Sequence, residues 1–85
     1  MGKLEEKFGL MKTILRELRK QPLRRTFLLK KVIETCGSPA KFDSVFNWLK
    51  KHGYVVKAGP KLRDPYKITW KGEKFLAGLI AEEAS

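Results

Sequence analysis

Residues 38–53 read Ser38-Pro39-Ala40-Lys41-Phe42-Asp43-Ser44-Val45-Phe46-Asn47-Trp48-Leu49-Lys50-Lys51-His52-Gly53. Ser38 is a good N-cap, and Pro39 suits the first helical position, where a missing N–H does no harm. Lys50, Lys51 and His52 lie where positive charge favours a helix C-terminus, and Gly53 stands just past it. The stretch predicts a helix over residues 38–52. Phe42, Val45, Phe46 and Leu49 are spaced i, i+3, i+4, i+7 and share one face. At ~100° per residue the opposite face carries Ala40, Ser44, Asn47 and Lys51. That face is small and polar at its centre and basic at its end, a surface suited to a nucleic-acid groove.

Upstream, residues 1–20 predict a first helix. Leu4, Phe8, Met11, Leu15 and Leu18 are spaced 4, 3, 4, 3, which is a heptad seam, and Leu10 and Ile14 widen it. A stripe this wide can serve a core and a partner subunit, or one core alone. Gln21-Pro22-Leu23 breaks the pattern. Residues 24–36 predict a second helix with Leu28, Leu29, Val32, Ile33 and Cys36 on one side and Phe27 off it, near the first helix. Arg24 and Arg25 stand at its beginning, where positive charge is unfavourable. An external anion such as a phosphate would explain them; simple solvation would also do so. Gly37 ends this helix and Ser38 caps the next, a short glycine-containing connection of the kind a helix-turn-helix needs.

Downstream, Tyr54 to Ala58 is β-branched and aromatic, and Tyr66 to Thr69 is a second short strand. Gly59-Pro60-Lys61-Leu62-Arg63-Asp64-Pro65 between them is a loop by its Gly and Pro content. The expectation is a β-hairpin over 54–69, with Pro65 at an edge position. Thr69 is placed to cap a last helix over 70–83. Phe75, Leu76, Leu79 and Ile80 form its apolar face, with Gly72 permitting close approach. Trp70, Ala77 and Ala81 fall on a second, flatter face. Trp48 lies ~120° from the centre of the apolar face of its helix. The wing, a sugar or a partner are its possible neighbours, with packing favoured.

The order helix, helix, turn, helix, strand, basic loop, strand, helix resembles a winged helix-turn-helix. Leu49-Lys50-Lys51-His52-Gly53-Tyr54-Val55 looks like the end of the recognition helix and the start of the wing in MarR, PadR and related small archaeal winged-helix regulators. Tyr66-Lys67-Ile68-Thr69-Trp70-Lys71-Gly72-Glu73-Lys74-Phe75-Leu76 looks like the strand-to-helix pattern of the same proteins. The resemblance implies an α+β, mainly α fold of three helices, a two-stranded wing and a C-terminal helix. It also implies that the third helix enters the major groove of double-stranded DNA. Ser44, Asn47 and Lys51 are then the candidates for base edges, since Asn can pair with adenine and Ser can donate or accept. Ordinary helix-surface polarity accounts for Ser44 and Asn47 equally simply. Lys41 and Lys50 flank them, nearer phosphates. Asp43 is placed to accept from cytosine or to orient Lys50. Ser38, Arg24 and Arg25 complete the helix-turn-helix part of the candidate site. Lys57, Lys61, Arg63 and Lys67 form a basic wing for the backbone or an adjacent minor groove. The motif binds paired half-sites, so a homodimer is expected. Its interface would use Leu4, Phe8, Leu10 and Ile14 of the first helix, or Trp70, Ala77 and Ala81 of the last.

Composition agrees. Nineteen Lys+Arg against nine Asp+Glu give a net charge of +10, which attracts polyanions. With 85 residues there is room for one small domain. The sequence has no apolar run long enough for a membrane span, no signal-peptide core and no Ser or Thr at position 6 for myristoylation. The expected setting is cytoplasmic and nucleoid-associated. Catalysis is not expected. His52 stands alone at a helix end, Cys36 sits on a core face, and Gly59-Pro60-Lys61 lacks the rest of a phosphate-binding loop. No metal, cofactor or small-molecule ligand is implied. The readings that compete are a transcriptional regulator, a sequence-tolerant architectural DNA-binding protein, and a winged-helix module for RNA or protein.

Overall fold

Ser38 and Gly53 bracket the third helix as their chemistry dictates. In the computed structural model, which describes the backbone of residues 2–84 and the side chains of 7–34 and 37–81, this helix, α3, spans Pro39–Lys51. Ser38 is extended, and its Oγ accepts from the Lys41 N–H at 3.2 Å. Gly53 takes a left-handed φ of 77°. That conformation favours glycine and turns the chain from helix to strand. The Gly53 N–H then donates to the Lys50 carbonyl and the Tyr54 N–H to the Leu49 carbonyl, at 3.1 and 2.9 Å.

Around it stand α1 (Gly2–Lys20), α2 (Arg25–Cys36), β1 (Val55–Lys57), β2 (Tyr66–Ile68) and α4 (Trp70–Ala84). The fold is mainly α, α+β, and its element order is compatible with a winged-helix layout. The hairpin is antiparallel with Val55 opposite Ile68, Val56 opposite Lys67 and Lys57 opposite Tyr66. Its strands are shorter than the predicted 54–58 and 66–69, though backbone bonds continue past both ends, from the Thr69 N–H to the Tyr54 carbonyl at 3.0 Å and from the Ala58 N–H to the Pro65 carbonyl at 2.8 Å. The Tyr54 N–H is held by the end of α3, while Thr69 is the cap of α4. The Thr69 hydroxyl accepts from the Gly72 N–H at 3.0 Å and donates to the Gly53 carbonyl at 2.7 Å. One side chain thus ties the end of α3 to the start of α4. A Cβ at Gly72 would collide with the Tyr54 carbonyl, so the close approach expected there requires glycine.

Residues 21–23 are more than a break. Leu23 pairs with Tyr66 through reciprocal backbone bonds of 3.0 and 2.8 Å, adding a bridge on the free side of β2. A single isolated pair leaves no periodic pattern in sequence.

α1 is the central helix, packed on α2, α3, α4 and β2. Its stripe resolves in favour of one core: Leu10, Met11, Ile14, Leu15 and Leu18 are all buried. Leu10 and Ile14, expected at a dimer interface, are therefore excluded from it, because the chain's own helices already cover them. Phe8 remains exposed. The side chains of Leu4 and Cys36 lie outside the described residues. From α3 come Phe42, Val45, Phe46 and Leu49, from α2 Leu28 and Val32, and from α4 Leu76. Phe27 corrects a second expectation. Expected to pack, it is 54% exposed, with the Lys30 Nζ 6.0 Å from its ring centre. Leu28 and Val32 fill the inward face of α2, and the residue ~100° from Leu28 is turned out. Among the described residues no helix is long and apolar enough to cross a membrane.

Candidate functional site

The burial of Phe42, Val45, Phe46 and Leu49 fixes the rotation of α3 and so decides what it presents outward. Ala40, Lys41, Ser44, Asn47 and Lys51 are exposed. Phe42 and Phe46 stack at 5.3 Å between ring centres, and Phe46 meets Tyr66 of β2 edge-on at 4.9 Å. These contacts set the pitch of the helix against the hairpin.

The cations around that face divide into tethered and projecting groups. Lys50 is half-buried, its Nζ 5.4 Å from the Phe46 ring centre and 5.5 Å from that of Tyr66. Lys57 reaches the same Tyr66 ring at 6.0 Å. The last turn of α3 and the base of the wing thus bring two positive charges to one aromatic ring, a favourable placement over its electron-rich face. The Lys57 ammonium also donates to the carbonyls of Lys61 and Leu62 at 3.4 and 3.3 Å, which makes it a brace of the wing loop. Lys61, Arg63 and Lys67 are exposed, the first two at the wing tip and the third on the outer face of β2.

At the other end of α3, Arg25 pairs with the Asp43 carboxylate and lies over the Phe42 ring at 5.7 Å. Asp43, placed from sequence to accept from cytosine or to orient Lys50, is a partner of Arg25 in α2. Only a fold that lays the first turn of α2 across α3 makes this pair, so spacing along one helix does not reveal it. Arg24 is the extended N-cap of α2 with no side-chain cap bond, and no acidic residue stands in the first turn. The Ser38 hydroxyl is engaged as the cap of α3.

Trp48 does pack, against Tyr54 at the start of the expected wing stretch and Phe75 of α4. Its ring lies 4.2 Å from His52, 5.7 Å from Tyr54 and 6.0 Å from Phe75, centre to centre. Tyr54 and Phe75 are parallel at 4.4 Å. Trp48 also lines a groove of ≈ 220 Å³ with Phe8, Met11 and Ser44. The cluster joins residues from the end of α3, the turn and α4, and its signal in sequence is only that each residue is aromatic. On α4, Trp70 is 70% exposed with the Lys74 Nζ 4.3 Å from its ring centre, and Ala77 and Ala81 are exposed along the same helix.

Among the described residues no group of three or more His, Cys, Asp or Glu could hold a metal ion. No family model, curated protein or solved structure matches the chain.

Proposed function

We propose that this chain is a winged-helix protein that binds double-stranded DNA and regulates transcription, and that it is a binding protein and not an enzyme. The observation that carries the reading is the pairing of a small polar outward face on α3 with projecting cations beside it. Asn47 and Ser44 read base edges in the major groove, and Lys51 follows the same edge. Lys41, Lys61, Arg63 and Lys67 contact phosphates, with Lys50 and Arg24 at the flanks. Arg25 and Lys57 act indirectly in this scheme, by fixing α3 and the wing loop. The net charge of +10 supplies the long-range attraction.

The protein acts as a homodimer, which presents two recognition helices to successive half-sites about one helical turn apart. In this reading its interface is the exposed face of α4 with Trp70, Ala77 and Ala81. Ala77→Glu then yields a monomer in sedimentation, with half-site binding retained.

The test is a titration of duplex DNA, random and selected, across salt concentrations. The expected log–log slope is about −0.9 per phosphate neutralised. Absence of duplex binding at low salt overturns the reading, and preferential binding of duplex RNA redirects it.

A further inference from the structure

We infer that Leu62 is an apolar wedge that the wing presses into the minor groove, partly unstacking a base step and bending the duplex. The inference rests on the proposed binding of DNA and adds to it a deformation and the residue responsible.

Leu62 is 91% exposed, the most exposed large apolar side chain among the described residues. It stands at the hairpin tip between two exposed cations, Lys61 and Arg63. The loop that carries it is braced from within. The Ala58 N–H donates to the Pro65 carbonyl at 2.8 Å. The Lys61 N–H donates to Asp64 Oδ2 at 2.8 Å, and the Asp64 N–H returns to the Lys61 carbonyl at 3.1 Å. Lys57 clamps the Lys61 and Leu62 carbonyls from the strand below. The Asp64 carboxylate lies so close to Gly59 that a Cβ there would collide with it. Pro60 and Pro65 restrict the backbone further.

The Leu62 backbone is thus held while its side chain has no cover. A tip that served only phosphates would be served by any polar residue at position 62. An aliphatic side chain between two cations is instead complementary to a groove with anionic rims and an apolar base stack. Minor-groove proteins bend DNA by this device, inserting an apolar residue at a flexible step while flanking cations hold the strands. A lipid surface also accepts an apolar tip with basic flanks. One leucine offers it little area, and the rest of the charge is spread over a folded surface.

The full chain is titrated with duplexes carrying 2-aminopurine at a TA step and with end-labelled duplexes that report bending by energy transfer. Wild type raises 2-aminopurine fluorescence and shortens the end-to-end distance. Leu62→Ala loses both effects and binds about tenfold more weakly, on the scale of one aliphatic side chain, with an unchanged salt slope. Leu62→Met restores them. Lys61→Ala with Arg63→Ala lowers the salt slope instead. Binding by wild type without unstacking, or a Leu62→Ala protein that unstacks and bends as wild type does, overturns the wedge and leaves DNA binding standing. Failure of wild type to bind any duplex removes both. Binding to anionic phosphatidylglycerol vesicles that needs Leu62, while duplex behaviour does not, assigns the tip to lipid and overturns the wedge.

Discussion

The two faces of α3 occupy the same thirteen residues and carry different information. The inward face is four apolar side chains, each at most 4% exposed. The outward face is Ala40, Ser44, Asn47 and Lys51, and the core does not depend on it. The inward face fixes the fold and aims the outward one. Substitutions on one side should therefore move stability, and on the other, binding alone.

The largest expected effect comes from breaking the inward face. Phe46→Ala removes a buried ring that stacks on Phe42 and meets Tyr66 edge-on. It should lower the unfolding free energy by about 3–5 kcal/mol, read by urea denaturation. Gly72→Ala comes next, because its methyl group meets the Tyr54 carbonyl and Ile68. Overpacking of this kind should remove about 1–3 kcal/mol, seen as a lower melting temperature. Thr69→Val deletes the hydroxyl that caps α4 and holds the end of α3, for a loss of about 1 kcal/mol. On the outward side, Lys61→Ala with Arg63→Ala should leave the melting temperature in place and reduce the DNA salt slope by about 2. Asn47→Ala should change stability by less than about 0.5 kcal/mol while altering the preference among duplex sequences. Stability loss from Asn47→Ala, or none from Phe46→Ala, would erase the distinction between the faces.

The contrast between the faces also explains what could be read in advance. The α3 caps, its apolar spacing, the left-handed Gly53 and the Thr69 cap are local. Each depends on residues within a few positions or on one residue's own backbone preference. Contacts between elements were not readable. The Arg25–Asp43 pair and the Leu23–Tyr66 bridge join residues whose proximity is set by tertiary packing, and the Lys57 brace, though it spans only four to five positions, depends on the path of the wing loop. The width of the α1 stripe was visible, but not its consequence. A helix at the centre of a small domain buries more of its circumference than one at the surface, so Leu10 and Ile14 needed no partner. Leu62 lay between two cations in plain sight; its exposure and the bracing beneath it needed the folded loop.

The most direct test is to map the surface that duplex DNA touches. Amide and side-chain chemical shifts of the labelled protein are followed as duplex is added at low salt. The proposed function predicts perturbations at Lys41, Ser44, Asn47 and Lys51 on α3 and at Lys61 to Lys67 on the wing, with Trp70, Ala77 and Ala81 on α4 unmoved by DNA. Perturbations confined to α4, or none while the protein stays folded, would contradict it.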